Sequence, residues 1–241
     1  MRTILEAAQD GIAAPTRVLL LPAAYTGPED FVREGFVRAV RERRLAVDLV
    51  FVELTLPHLT DRTMLRRLRD EIVLPARATG CRSIWLGGIS LGGFIALAYA
   101  ARFTQEIDGL CLLAPYLGNQ RVIGEIARAD GVDGWTAGDL AEDDDERRIW
   151  QFIKEQRDRS AAEEVPRSAG GGPRGDRTSA SPAVALHLGF GSEDRFAASH
   201  RLMAAALAPS SVDVGPGGHE WPAWRRLWEN FLDTRFPVSH V

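Results

Sequence analysis

The stretch Ile84-Trp85-Leu86-Gly87-Gly88-Ile89-Ser90-Leu91-Gly92-Gly93 decides the fold class of this chain. It starts as an apolar, strand-like run, passes through Gly-x-Ser-x-Gly, and continues as a helix predicted over Leu91 to Arg102. A strand that reverses into a helix at this motif holds its serine in a strained conformation, and only glycines fit on either side. The motif therefore predicts that Ser90 stands at a strand-to-helix turn with its hydroxyl clear of the sheet.

No residue from Ser83 to Ala101 is charged, and an uncharged stretch of this length is also typical of a membrane span. Glycines interrupt the stretch, and a buried strand, a turn and a buried helix account for the same composition. A central strand of a parallel sheet is covered on both faces and is apolar throughout. We therefore predict a core segment and no membrane span.

Length and charge narrow the class of protein further. With 241 residues, 45% of them hydrophobic, the chain is long enough for one large α/β domain spanning 1–241. The net charge is −4, from 29 basic and 33 acidic residues, so no overall positive field attracts nucleic acid or an anionic membrane. The expected partner is a small molecule, and the oligomeric state stays open.

The cysteines and the N-terminus bear on the compartment. Cys81 and Cys111 lie beside or within apolar strand-like segments, where a reduced thiol behaves as a small hydrophobic side chain, so no disulfide framework is predicted. Met1 to Asp10 lacks a basic region followed by a continuous apolar stretch, which a secretory signal requires. We expect a cytoplasmic protein.

Short apolar runs alternate with longer amphipathic stretches along most of the chain. This alternation predicts a doubly wound, mainly parallel sheet of about six or seven strands, with helices on both faces. Strands are predicted at Val18 to Leu21, Val47 to Val52, Ile84 to Gly87, Leu110 to Leu113, Ala183 to Leu188 and Ser211 to Val214.

The alternation stops between residues 114 and 182, which predicts an insertion after the fourth strand. Apolar spacing over Tyr116 to Ile153 predicts a small helical lid, in which Trp135 and Trp150 shape a pocket for substrate. Residues 160–181 are rich in Ala, Gly, Ser, Arg and Pro, so we expect a flexible loop there. The acidic run Glu142 to Glu146 is typical of a solvated helix start, because consecutive carboxylates point in different directions around a helix, and it predicts no metal site.

A serine hydroxyl needs a base to take its proton, and His219 is the candidate. It lies in the Gly-rich segment Gly215-Pro216-Gly217-Gly218-His219, directly after the last predicted strand. A loop at that point reaches the carboxyl edge of the sheet, to which the turn also brings Ser90. His58, after the second predicted strand, is the alternative base.

The base in turn needs a carboxylate to orient it, and Asp194 is the candidate. Ala183 to Leu188 runs into Gly189-Phe190-Gly191-Ser192-Glu193-Asp194, which puts a carboxylate at the end of a strand. The shorter side chain of Asp194 suits a tight turn, and Glu193 is the alternative. The order Ser, Asp, His along the chain is that of one class of hydrolase with a catalytic triad.

Backbone N–H groups are expected to stabilise the oxyanion that forms when a serine attacks a carbonyl. Leu91, at the start of the helix, supplies one donor, and Ala24 in the loop after the first predicted strand supplies the other, with Ala23 or Tyr25 as alternatives. We further expect Tyr25 and Tyr116, together with the two tryptophans of the insertion, to contact substrate.

Three segments together carry a family resemblance: Gly-Ile-Ser-Leu-Gly around Ser90, Gly-Ser-Glu-Asp-Arg-Phe around Asp194, and Gly-Gly-His-Glu-Trp around His219. Over Val18 to Leu113 and Ala183 to Phe231 the chain resembles the α/β-hydrolase superfamily, in particular its small carboxylesterase-like members. The resemblance implies hydrolysis of an ester or a thioester through an acyl-enzyme without a cofactor, and we predict a serine carboxylesterase. Leu-Pro-Ala-Ala stands where many members have His-Gly, which leaves the second oxyanion donor open.

Other functions fit the same residues. A thioesterase or an acyltransferase would use the same triad, and a non-catalytic protein can keep this fold as a ligand pocket. Neither the acyl chain nor the leaving group of the substrate is readable from the sequence.

Overall fold

The computed structural model describes residues 1–55, 63–164 and 183–236, and its strands form one sheet in the order β1-β3-β2-β4-β5-β6-β7. The strands are β1 (Thr3–Glu6), β2 (Thr16–Leu21), β3 (Val47–Val52), β4 (Ser83–Ile89), β5 (Gly109–Leu113), β6 (Ala185–Gly191) and β7 (Val212–Gly215). β1 pairs antiparallel with β3, and every other pair of neighbours is parallel. The predicted mainly parallel sheet is confirmed.

The strand that sequence reasoning missed is β1, at the edge of the sheet. Its residues alternate between exposed and half-buried, so it has no continuous apolar run to mark it. A second difference is the end of β6, which lies at Gly191 and so includes Gly189 and Phe190, beyond the predicted end at Leu188. Backbone pairing with β7 accounts for this extension, because Phe190 lies opposite Val214 and Gly191 lies opposite Gly215.

The register brings the carboxyl ends of β4, β5, β6 and β7 to one edge. Ile89 lies opposite Leu113, and Leu113 lies opposite Gly189. Ser90 follows β4, whereas Asp194 and His219 follow β6 and β7. The parallel sheet therefore places all three residues at its carboxyl edge, the usual place for a site in an open α/β sheet.

Helices cover both faces of the sheet. They are α1 (Pro28–Arg33), α2 (Phe36–Glu42), α3 (Met64–Leu68), α4 (Leu74–Ala78), α5 (Leu91–Phe103), α6 (Gln120–Arg128), α7 (Asp145–Glu164), α8 (Ala197–Ala204) and α9 (Trp221–Arg235), with a π-helical turn at Arg69–Val73 joining α3 to α4. One buried cluster contains side chains of α5, α6, α7 and α8, and a second contains side chains of α1, α2 and α9. The sheet separates these two cores.

The insertion between β5 and β6 contains α6 and α7, which are built into the first core. Ile126, Ile149 and Ile153 are fully buried there. α7 continues to Glu164, so the first residues of the loop predicted at 160–181 are helical instead. The alanines at 161 and 162 have high helix propensity, and they extend the helix beyond its last large apolar residue. The rest of the predicted loop lies outside the described residues.

Within the three described ranges, no helix is both long enough and apolar enough to cross a membrane.

Candidate active site

Ser90 occupies a strained turn between β4 and α5. Its φ of 52° and ψ of −111° lie where residues other than glycine are rarely found, and such a conformation costs on the order of 1–3 kcal/mol. Backbone hydrogen bonds hold it in place, since its N–H donates to Leu113 O and its C=O accepts from the N–H groups of Phe94 and Tyr116. The turn leaves the Ser90 side chain 8% exposed.

The two glycines of the motif are required by close backbone contacts. A Cβ on Gly88 would lie 2.5 Å from the Gly92 carbonyl carbon, and a Cβ on Gly92 would lie 2.1 Å from Leu21 O. Both distances are far shorter than van der Waals contact. The second also shows that the end of β2 passes directly against the first turn of α5.

His219 and Asp194 form a hydrogen-bonded pair at the carboxyl edge of the sheet. His219 Nδ1 lies 2.7 Å from Asp194 Oδ2, and the other carboxylate oxygen, Oδ1, accepts from the Phe196 N–H at 2.8 Å. A carboxylate oxygen accepts, so His219 carries its proton on Nδ1. Within the described ranges Nε2 makes no hydrogen bond, which leaves this nitrogen available as a base.

The environment keeps Asp194 ionised. Burial acts to raise its pKa, but the hydrogen bonds from His219 and from the Phe196 N–H outweigh burial, so the pKa of Asp194 is lowered. Asp194 is 5% exposed, whereas the side chain of Glu193 points into solvent. Of the two carboxylates considered from sequence, the structure brings Asp194 to the histidine.

A series of ring contacts connects His219 to the serine turn. The ring centres of His219 and Phe196 lie 5.1 Å apart, and those of Phe196 and Tyr116 lie 6.0 Å apart. Tyr116 in turn donates its backbone N–H to Ser90 O at 2.9 Å. These contacts bring the Asp194–His219 pair and the turn of Ser90 to the same part of the carboxyl edge.

The candidate oxyanion donors lie on the two segments that meet at Gly92. Leu91 is the first residue of α5, and the first N–H groups of a helix have no partner within it. After β2 the chain makes a tight turn in which the Thr26 N–H donates to Ala23 O, with exposed Ala24 and Tyr25 at its centre. Tyr25 has a φ of 63°. The approach of Leu21 to Gly92 brings this turn near the start of α5.

Comparison with known proteins identifies the family of this chain. A model of the alpha/beta hydrolase family matches residues 18–229. The chain belongs to the alpha/beta hydrolase family. A search of curated proteins found none that matches this hydrolase-family chain.

Solved structures show that the fold of this hydrolase-family protein is shared. It is similar to FphF, the fluorophosphonate-binding serine hydrolase F of Staphylococcus aureus in a substrate-bound form, with 12% identity, a TM-score of 0.60, and coverage of 95% of this chain and 89% of that one. It is also similar to a ferulic acid esterase, with 13% identity, a TM-score of 0.58, and coverage of 96% of this chain and 96% of that one. An S-formylglutathione hydrolase from Agrobacterium tumefaciens is similar as well, with 12% identity, a TM-score of 0.54, and coverage of 90% of this chain and 82% of that one.

The four side chains predicted to contact substrate lie in different places. Tyr116 is half-buried and borders the serine turn, whereas Tyr25 is fully exposed to solvent. Trp150 has no exposed surface and Trp135 is 5% exposed, and both belong to the first core. The Trp150 indole donates its N–H to Leu117 O at 2.8 Å. Both tryptophans are thus packed in the first core, where almost none of either side chain is exposed.

Sequence reasoning missed three residues near the site. Phe94, one helical turn after Ser90, packs on Tyr116 with ring centres 5.7 Å apart, and Phe196 lies between Tyr116 and His219. The third is His200 on α8, which is fully buried. A histidine one helical turn after Phe196, on the buried face of a helix, was the available signal.

The alternative base, His58, lies outside the described residues. Among the residues that are described, no three His, Cys, Asp or Glu side chains lie together as a metal-binding group.

Proposed function

We propose that this protein is a serine hydrolase that cleaves a carboxylic ester of a small molecule through an acyl-enzyme intermediate. The observation that carries the proposal is the Asp194–His219 hydrogen bond at the same sheet edge as the strained turn of Ser90. A buried carboxylate that fixes a histidine tautomer, next to a serine on a strand-to-helix turn, is the arrangement that activates a hydroxyl nucleophile.

In the first half-reaction, Ser90 Oγ attacks the ester carbonyl carbon while His219 Nε2 takes the hydroxyl proton. Asp194 stabilises the imidazolium that forms and keeps its Nδ1–H directed at the carboxylate. The tetrahedral intermediate collapses, the bond to the leaving oxygen breaks, and His219 returns the proton to the departing alcohol. The acyl group is then bonded to Ser90 Oγ.

In the second half-reaction, water attacks the acyl carbon and His219 takes one of its protons. The intermediate collapses again, the proton passes to Ser90 Oγ, and the carboxylic acid leaves. In both intermediates the negative oxygen accepts hydrogen bonds from backbone N–H groups, for which we propose Leu91 and Ala24.

The substrate side of the site is proposed to be aromatic. Phe94, Tyr116 and Phe196 are each half-buried, and their rings follow one another from the serine turn to His219. We propose that residues 1–241 act as one domain, and that the insertion borders the site through Tyr116 and not through its tryptophans.

The test is turnover on a panel of p-nitrophenyl esters beside acyl-CoA thioesters, with Ser90→Ala as the matched variant. Ester hydrolysis by the wild type that is lost in Ser90→Ala, with an unchanged melting temperature, supports the proposal. Faster turnover of thioesters identifies a thioesterase, whereas binding of esters without turnover by the wild type contradicts an enzymatic function.

A further inference from the structure

His200 on α8 is fully buried, and among the described residues its ring makes one hydrogen bond. Its Nε2 lies 2.8 Å from Pro115 O, and its Nδ1 is buried without a partner among the described residues. A carbonyl oxygen only accepts, so Nε2 carries the proton. A proton on Nδ1 as well would leave a buried N–H unpaired, and burial lowers the pKa of His200 accordingly. The ring is therefore a neutral donor aimed at one backbone carbonyl.

The Pro115 carbonyl lies in a segment whose backbone is hydrogen-bonded on both sides of the proline. The Ala114 N–H donates to Gly189 O at 2.7 Å, and the Tyr116 N–H donates to Ser90 O at 2.9 Å. Pro115, between them, has no N–H to donate, so its carbonyl is the one backbone hydrogen-bonding group it offers. Ala114 has a φ of 47°, an uncommon conformation that its neighbours must maintain.

Pro115 also packs against the helix that begins at the serine. A Cβ added to Gly93 would lie 2.7 Å from Pro115 Cβ, so the proline ring contacts the first turn of α5 directly. A shift of Pro115 would move Tyr116 and would disturb the backbone hydrogen bond that the Tyr116 N–H makes to Ser90. The position of Pro115 is thus coupled to the conformation of the serine turn.

His200 is joined to the other side of the site as well. Its backbone N–H donates to Phe196 O at 3.1 Å, and Phe196 donates its own N–H to Asp194 Oδ1. The ring packs on Phe190 of β6 with ring centres 5.0 Å apart, so it has little freedom to rotate. One side chain therefore connects the segment that follows the carboxylate to the segment that braces the serine.

From these contacts we infer that His200 is a positioning residue, which holds Pro115 and Tyr116 against the turn of Ser90 through its Nε2–H. The inference rests on the proposed hydrolase function for its kinetic consequence. Its structural consequence, protection of the Tyr116 N–H, is independent of any activity.

The experiment compares three substitutions at His200 with a matched control. Gln places an amide N–H near the position of Nε2, Asn places it too far back to reach Pro115, and Phe fills the volume without any donor. His187→Phe is the control, because His187 is also a buried histidine, packed on Phe231, but neither ring nitrogen has a partner among the described residues.

We expect His200→Asn and His200→Phe to lower kcat by about 10- to 100-fold with little change in KM, the size expected from a small misplacement of reacting groups. His200→Gln recovers most of this loss, and His187→Phe keeps the wild-type kcat. In parallel, hydrogen exchange of the 114–119 segment is faster in His200→Asn than in His200→Gln and in His187→Phe, at matched distance from each variant's melting temperature.

Equal kcat for Asn, Gln and wild type, or equal exchange of the 114–119 segment in all of them, overturns the inference. The Asn and Gln pair decides the matter even if His200→Phe does not fold. A wild-type protein that turns over no ester and does not react with a fluorophosphonate contradicts the proposed function instead, and the exchange measurement then still decides the role of His200.

Discussion

The carboxyl edge of the sheet and the insertion between β5 and β6 use their polar side chains in different ways. At the edge, Asp194 binds a histidine whose Nε2 stays unbonded within the described ranges, which leaves a group ready for chemistry. In the insertion, the indole of Trp150 and the carboxylate of Glu146 bind the backbone at Leu117 and Asn119. The insertion thus holds, through these hydrogen bonds, the segment that carries Tyr116.

The two regions are therefore expected to contribute differently to the site, one to turnover and the other to stability. Groups at the edge act on the reacting atoms, so their loss should lower turnover with little effect on stability. Groups in the insertion act on the free energy of unfolding, so their loss should lower stability before it changes the chemistry.

His219→Ala should lower kcat by about 10⁴-fold or more, because the members of a triad act as a unit. The melting temperature should change little. The measurement is kcat on the best p-nitrophenyl ester, with His58→Ala, the alternative base, as the control. A comparable loss in both variants would assign part of the chemistry to His58.

Asp194→Asn should lower kcat by about 10⁴-fold, because an amide no longer fixes the tautomer of His219. Glu193→Gln is the matched control, since it makes the same chemical change on the neighbouring exposed carboxylate, and it should stay within about twofold of wild type because surface changes are usually mild. Equal losses in the two variants would contradict the assignment of Asp194.

Trp150→Ala should lower the free energy of unfolding by about 3–5 kcal/mol, since it removes a fully buried ring and its hydrogen bond to Leu117 O. Urea denaturation measures the loss, and the kcat ratio between short and long acyl esters is the control. A changed ratio with unchanged stability would return Trp150 to the substrate pocket that the sequence predicted.

His187→Phe should have the smallest effect, and one that depends on pH. Burial, with a contribution from Arg235, lowers the pKa of His187 from 6.5 to about 4. Between these values the unfolded chain takes up a proton that the folded chain does not, so the free energy of unfolding falls as the pH falls.

The His187→Phe variant lacks this titration, and its stability relative to wild type should rise by about 3 kcal/mol between pH 7 and pH 4. Urea denaturation of both proteins at several pH values checks it. Curves that stay parallel across this range would show that His187 is not a buried neutral base.

The sequence alone predicts the local features of the fold and of the candidate site. The strand before Ser90 and the helix after it follow from the apolar run and its glycines, and the strand ends place Asp194 and His219 at one edge. The pairing of strands β6 and β7, which extends β6 to Gly191, depends on contacts between distant segments.

The burial of individual side chains also depends on contacts between distant segments, so the sequence did not predict it. The helical spacing of Trp150 indicates one face of a helix, and that spacing is identical for a pocket wall and for a packed core. The burial of His200 depends likewise on Pro115, which is 85 positions away in the chain.

The central claim is that Ser90 is an activated nucleophile, and covalent labelling tests it most directly. Incubation of the wild type with a fluorophosphonate, followed by intact-mass measurement and peptide mapping, should show one adduct per chain on Ser90, with none in Ser90→Ala and a much slower reaction in His219→Ala. A wild-type protein that stays unlabelled, or a label that persists in Ser90→Ala, would contradict the account.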